Sequence, residues 1–394
     1  MKALTWQGIH DVEVKDVEDP RIEHDTDAVI RITSTAICGS DLHLYEVFGP
    51  FLDKDDVLGH ENMGVVEEVG SAVTKLKVGD RVVVPFVIAC HDCFMCDRGL
   101  FTQCETTQVK SQGSGAALYG FSELYGSIPG GQAERLRMPL ADANAIVVNG
   151  ELPDERYLFL SDILPTAWQG VQYANVPEGG TLGVMGLGPV GQFAARIGKH
   201  LGYRVIAVDP VPERREMAKR HGIETLDLTD DVADRLRALT DGRGPDAMVE
   251  AVGMEAHGSP AASFAQKAAG LLPDGIAKKV MDTASVDRLA ALHTAFDAVR
   301  RGGTVSISGV YGRPDADEVA VRQADRDPHG PVQRPALDRG PAAPRRGPGR
   351  PARRHGPRHA HGAPQRGRAH VRDLPEEGGR LHQGGAQAVA SRLA

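Results

Sequence analysis

The sequence predicts an α/β chain in two parts, a mostly-β part first and a doubly wound parallel sheet after it. Three observations carry this. An alternating apolar run, Ala28–Thr33, reads as a strand that leads into a Gly-containing turn. Four of the five cysteines sit together in one polar loop, "CHDCFMCDRGLFTQC", from Cys90 to Cys104. Further on, "TLGVMGLGPVGQFAARIGKHLGYRVIAVDP" reads as strand (Thr181–Met185), tight glycine turn, helix (Val190–Leu201) and second buried strand (Val205–Val208).

The composition fits a globular chain with real cores: 394 residues, 41% hydrophobic and 25% charged. No apolar run approaches the thickness of a bilayer, which argues against a membrane protein. The opening "MKALTWQGIHDVEV" has no apolar signal region, so a cytoplasmic location is expected. The charge is uneven. From Arg313 onward there are 16 Arg against 9 Asp or Glu, so residues 1–312 carry about −15 of the overall −8. An acidic body of this kind argues against a nucleic-acid surface.

In the cysteine loop, Cys90, Cys93, Cys96 and Cys104 lie among His, Asp, Arg and Gln rather than in apolar runs. Disulfides would need an oxidising compartment. An iron–sulfur cluster would take a shorter last step followed by Pro, whereas seven residues separate Cys96 from Cys104 and Glu105 follows. Tetrahedral zinc on four thiolates fits best. Upstream, "TAICGSDLHLYE" places Cys38 after an apolar strand, and "VLGHENMGVVEEVG" brackets His60 and Glu61 with glycines. Alone, Cys38 fits a small core residue and His60 a hydrogen-bonded core histidine. Together they sit where strands break into turns, which suits metal ligands.

Cys38-Gly-Ser-Asp-Leu-His43, Gly59-His60-Glu61 with Gly64 and Gly70, and the four-cysteine lobe resemble the zinc-dependent medium-chain alcohol dehydrogenases over roughly residues 1–312. The resemblance implies a GroES-like catalytic domain (1–160) and a Rossmann domain (161–312). It implies a catalytic zinc on Cys38 and His60, a structural zinc on the loop cysteines, and a homo-oligomer in an intact relative. Many members supply a third catalytic cysteine, but none remains after Cys104. "YLFLSDILPTAWQGVQ" instead offers Asp162, which resembles the glutathione-independent formaldehyde dehydrogenase and dismutase branch. Asp162 also stands where a helix N-cap belongs. The missing cysteine favours the ligand. The Gly-rich stretch leading to Gly130-Gly131-Gln132-Ala133-Glu134 is similar to the same branch, although Arg135 stands where a Tyr is usual.

Gly186-Leu-Gly188-Pro189-Val190-Gly191 is a weak motif alone. Here it follows a strand, opens a helix and is answered by Asp209 at the next strand end, which completes a dinucleotide fingerprint. Gly186 permits the turn, Gly188 lets backbone approach a pyrophosphate, and Gly191 allows close helix packing. Asp209 should accept from the adenosine ribose hydroxyls, so NAD is expected over NADP. Arg214 and Arg215 nearby either accommodate a phosphate or are solvated helix charges. Within the family likeness, Ser40 and His43 take the places of a proton relay and Glu61 supports the zinc. The expected function is hydride transfer between a small aldehyde hydrate or alcohol and NAD, formaldehyde dehydrogenase-like. A general alcohol dehydrogenase, a non-catalytic relative and a nucleic-acid binder acting through its basic tail are the rivals.

Residues 313–394 fit none of this. They lack Lys, Ile, Phe, Tyr, Trp, Met, Cys, Asn and Thr yet contain 11 Pro, and cannot bury a core. The expectation is a frame-shifted reading. One base inserted after the Gly312 codon lets the following residues be decoded into periodic apolar sequence resembling the family's missing strands and helix, with a stop falling within Val389-Ala390.

Overall fold

An antiparallel hairpin, β1 (Lys2–Gly8) and β2 (Asp11–Asp16), opens the chain in the computed structural model, which describes residues 1–46, 48–253 and 289–309. Residues 257–275 and the atypical tail from 313 lie outside these residues. Next comes a five-stranded antiparallel sheet ordered β6-β3-β4-β5-β7, from β3 (Ala28–Ala36), β4 (Glu61–Val69), β5 (Arg81–Val84), β6 (Arg135–Met138) and β7 (Ile146–Val147). Helix α1 (Gly39–Glu46) follows β3, and the single turn α2 (Ala141–Asn144) precedes β7. One sheet face closes over Ile30, Val66, Val82, Val84, Tyr119, Leu136 and Met138, all buried. The β3–β4 ladder slips register between Ile32 and Ser34, beside Gly64. A Cβ on Gly64 would sit 2.3 Å from the Arg31 carbonyl oxygen, so only glycine lets the strands approach there.

The second sheet is parallel and ordered β10-β9-β8-β11-β12, from β8 (Thr181–Met185), β9 (Arg204–Val208), β10 (Glu224–Leu226), β11 (Ala247–Glu250) and β12 (Thr304–Ile307). Its helices are α3 (Ile163–Ala174), α4 (Pro189–His200), α5 (Pro212–Arg220), α6 (Val232–Ala238) and α7 (Ala290–Ala298). Buried Leu182, Val184, Val205, Ala207, Ala247 and Val249 pack on one face against Ala167 and Val171 of α3 and Ala194, Ala195 and Ile197 of α4. On the other face Met185, Ile206, Val208 and Met248 meet Val232 and Leu236 of α6 and Ala291 and Ala295 of α7. Helices cover both faces, as buried parallel strands require. The first strand of this sheet, β8, lies between β9 and β11, so the winding reverses beside it and a crevice opens at its carboxyl end. The expected strand and helix agree with β8, α4 and β9, the helix starting one residue earlier at Pro189. Among the described residues no helix is long and apolar enough to cross a membrane.

The stretch leading into α3 is fastened to the antiparallel sheet. The Asp154 carboxylate accepts from Thr33 Oγ1 (2.5 Å) and Ser34 Oγ (3.0 Å) of β3 and from Arg81 Nε (2.8 Å) of β5. Arg81 also donates to the Leu152 carbonyl at 2.9 Å, and the Phe86 amide donates to the Ser161 carbonyl at 3.0 Å. Asp162 therefore begins a helix of the parallel-sheet lobe while hanging from the other sheet. Arg135, unusual for the likeness noted above, forms a surface clasp with Glu67 (2.9 Å) and Asp19 (3.2 Å).

Candidate active site and metal centres

Three chain breaks converge on one buried pocket. Cys38 lies between the end of β3 and α1, His60 and Glu61 stand at the start of β4, and Asp162 precedes α3. Gly59, at φ +103°, swings the chain so that His60 faces inward; a Cβ there would strike Gln132 at 2.4 Å. One ligand atom from each of Cys38, His60, Glu61 and Asp162 lies within 4.8 Å of the others. His60 Nε2 is 3.3 Å from Asp162 Oδ2, and His60 Nδ1 is 3.4 Å from Asp41 Oδ1. His60, Glu61 and Asp162 are all at least nine-tenths buried.

The electrostatics of this group call for a cation. Burial pushes the Cys38 thiol up from its usual range. Burial, then the neighbouring Asp162 charge, push the Glu61 carboxyl up to about 8. Burial opposes charge on His60, but Asp41 and Asp162 outweigh it and hold the imidazole well above its ordinary value. Glu61 Oε2, His60 Nδ1 and Asp41 Oδ1 are buried without a hydrogen-bond partner. A sulfur, an imidazole and carboxylates are the donor set of a catalytic zinc. The His60–Asp162 spacing matches the roughly 3.4 Å edge of a zinc tetrahedron with N and O ligands near 2.1 Å.

Asp162 occupies the N-cap position of α3, yet its carboxylate bonds no α3 amide. Its Oδ1 accepts from Thr166 Oγ1 at 2.7 Å instead, and its Oδ2 faces His60. Sequence reasoning missed Asp41. Its Oδ2 accepts from the Cys38 amide at 2.8 Å and its Oδ1 faces His60 Nδ1, tying two candidate ligands together. The i+3 spacing from Cys38 was the available signal. Phe121, also missed, stands edge-on to His60 with ring centroids 6.5 Å apart. Phe48 and Tyr125 lie 6.3 Å and 5.4 Å from Phe121, so three rings cluster beside His60. Scattered aromatic residues carry no sequence signature of such a cluster. Ser40 and His43 share α1 one turn apart, Ser40 half-buried and His43 buried.

The four loop cysteines also converge. Cys90, Cys93, Cys96 and Cys104 are free thiols with all Sγ atoms within 4.8 Å of one another. The Sγ distances are 3.6 Å for Cys90–Cys104 and 4.0 Å for both Cys90–Cys96 and Cys93–Cys104. A tetrahedron of thiolates around zinc has edges of about 3.8 Å. The amides of Cys90, Asp92 and Glu105 donate to these sulfurs. Burial opposes a thiolate at Cys104, but hydrogen bonds from Cys90 and Thr107 outweigh it and bring it down to about 6. The residues fit a structural zinc, and the disulfide alternative has no bond to support it.

At the second sheet, the glycine turn has the shape a dinucleotide needs. Gly186 takes φ +89°, and a Cβ on Gly191 would lie 1.9 Å from the Gly186 carbonyl oxygen. A Cβ on Gly188 would meet nothing within 4 Å, which leaves open space beside the backbone. Pro189 takes the first turn of α4, where its missing amide costs nothing, Val190 follows half-buried, and the remaining first-turn amides can face an anion. Asp209 ends β9 buried, accepting from the Leu187 amide (Oδ2, 2.7 Å) and the Val211 amide (Oδ1, 2.7 Å). The two arginines part here. Arg214 Nη1 is 3.7 Å from the Asp209 carboxylate, whereas Arg215 Nη1 donates to the Asp209 main-chain carbonyl at 2.6 Å and pairs with Asp227 at 2.8 Å.

The alcohol dehydrogenase GroES-like domain family matches residues 24–147, and the zinc-binding dehydrogenase family matches residues 189–276. An uncharacterized zinc-type alcohol dehydrogenase-like protein, AdhB of Bacillus subtilis, is 45% identical over 79% of this chain and 80% of its own length. The formaldehyde dismutase of Pseudomonas putida is 34% identical over 81% of this chain and 77% of its own. Among solved structures, the alcohol dehydrogenase TADH from Thermus sp. ATN1 superposes with a TM-score of 0.65 at 34% identity, covering 80% of this chain and 79% of that one.

Proposed function

We propose a reaction from the premise that this chain belongs to the zinc-type medium-chain alcohol dehydrogenase family and is an oxidoreductase. The reaction is NAD-linked hydride transfer from a small alcohol or aldehyde hydrate, with formaldehyde-sized substrates preferred. The single observation that carries this reading is the convergence of Cys38, His60 and Asp162, with the Phe121 ring edge-on to His60. The similarity to a formaldehyde dismutase supports the substrate class. When bound, zinc supplies Lewis acidity toward a substrate hydroxyl and the nicotinamide supplies the hydride acceptor.

The chain's own residues supply the rest. Cys38, His60 and Asp162 would hold the metal, and the Asp41 carboxylate, 3.4 Å from His60 Nδ1, places negative charge at the edge of the ring away from Nε2. Glu61, buried in the same cluster with an oxygen within 4.8 Å of their ligand atoms, adds a fourth acidic or donor side chain beside the metal position. Gly186–Gly191 and the α4 amides bind the pyrophosphate, and Asp209 orients the adenosine ribose. Ser40 takes the hydroxyl proton and His43, one turn along α1, passes it outward. Phe121, Phe48 and Tyr125 exclude water and limit the reacting carbon's substituents.

A panel of straight-chain alcohols and aldehydes with NAD, assayed for both reduction and dismutation, tests the reading. Kinetic preference for the one- and two-carbon members supports it, and a preference for longer chains overturns it. Phe121→Ala should shift kcat/KM toward the longer substrates by roughly 10-fold per accommodated methylene, the value of about 1–3 kcal/mol of pocket contact.

The coenzyme is tested separately. Fluorescence titration should show NAD binding more tightly than NADP. Asp209→Gly removes a charged acceptor worth about 2 kcal/mol, so the NAD advantage should narrow by roughly 30-fold. Tighter NADP binding to the wild type would mean that Arg214 governs the site.

A further inference from the structure

The unusual feature of Asp162 is that it stands at a helix N-cap without capping. An N-cap carboxylate ordinarily accepts from the amides of the second or third helical residue. In α3 the third residue is Pro165, which has no amide hydrogen to offer. The Asp162 backbone takes φ −151° and ψ −74°, outside the usual extended cap geometry, and no cap bond forms. Thr166, one residue further, supplies the donor that is missing. Its Oγ1 donates to Asp162 Oδ1 at 2.7 Å while its amide donates to the Asp162 carbonyl at 2.9 Å. Two bonds between the same pair of residues leave the carboxylate little rotational freedom. Oδ1 is occupied, and Oδ2 is the oxygen that faces His60 Nε2 at 3.3 Å.

We infer that Pro165 and Thr166 form a positioning device that turns Asp162 away from the helix and presents it to the metal through Oδ2 alone. This rests on the reading of Asp162 as a zinc ligand. A carboxylate free at both oxygens can chelate one ion with both, raising its coordination number and filling the position that substrate needs. Occupying Oδ1 with a short hydrogen bond opposes that. Thr166 is thus a positioning residue, acting on the metal only through Asp162, as partners of metal-bound carboxylates do. A thiolate ligand has no second donor atom to restrain, so the device has a purpose only where an acid is the third ligand.

The test uses the full chain with zinc, and with cobalt(II) exchanged into the same site. Thr166→Val keeps the shape and removes the donor, Thr166→Ser keeps the donor, and Pro165→Ala restores an amide that competes for the carboxylate. Chelator competition should show Thr166→Val and Pro165→Ala losing the catalytic ion about 10- to 100-fold more readily, with the four-cysteine zinc unchanged and Thr166→Ser near wild type. The cobalt absorption of Thr166→Val should weaken as coordination rises above four, and Thr166→Ser should restore it. A wild-type chain that binds metal only at the four cysteines defeats the ligand reading itself. A wild type with both ions, whose Thr166→Val variant keeps wild-type affinity and spectrum, overturns this inference alone.

Discussion

Asp162→Ala should leave a folded chain that has lost its catalytic zinc and on the order of 10³-fold or more of its kcat/KM, the equivalent of about 4 kcal/mol of transition-state stabilisation. The variant retains Cys38 and His60, but two protein ligands hold an exchangeable zinc poorly. Stability should change little. The Asp162 side chain accepts no helix-cap bond, and the hydrogen bond it accepts from Thr166 is worth about 1 kcal/mol. Removing it also takes away the Asp162 charge that, after burial, raises the Glu61 carboxyl. Metal analysis, steady-state kinetics and a thermal melt on one preparation separate these effects. Turnover within tenfold of wild type, or a metal content equal to wild type, would remove Asp162 from the ligand set.

Cys96→Ser should act on the fold rather than on the chemistry. Cys96 is buried in a loop made of single 3-10 turns, Cys96–Arg98 and Phe101–Gln103, that packs on Val87, Ala89, Ala116 and its fellow cysteines. So little apolar contact cannot hold fifteen residues in place, and Phe94, Leu100 and Phe101 lie exposed on the outside. A structural zinc contributes about 10 kcal/mol or more in small sites, and that energy is folding energy. With three thiolates left, the variant should bind one zinc fewer, melt roughly 10 °C lower and become open to proteolysis between Cys90 and Cys104. Two zinc ions per chain and an unchanged melt would show that the lobe stands without its metal.

Much of the architecture was legible because it is written in local patterns. A strand, a glycine turn and a helix of 3.6-residue period can be read from Thr181 to Val208 because each follows from neighbouring residues, and Gly186 and Gly191 are dictated by backbone clashes within the same turn. The four cysteines declare a metal by spacing alone, since short steps in one loop bring their sulfurs within 4.8 Å. Asp162 could be reached from sequence only through the likeness to one branch of the family and the absence of a later cysteine. Its rival role as a helix cap is equally local, and pattern could not separate the two. Tertiary structure decided what that carboxylate does, because its partners come from 102 residues upstream and four downstream: His60 opposite Oδ2 and Thr166 on Oδ1. Asp41 became part of the site when the turn after β3 folded against His60, and Phe121 joined it when a loop far along the chain returned to His60. Motif spacing records the ligands that one turn brings together. The orientation of each ligand, and the room left for a substrate, depend on contacts between segments that only the packed chain makes adjacent.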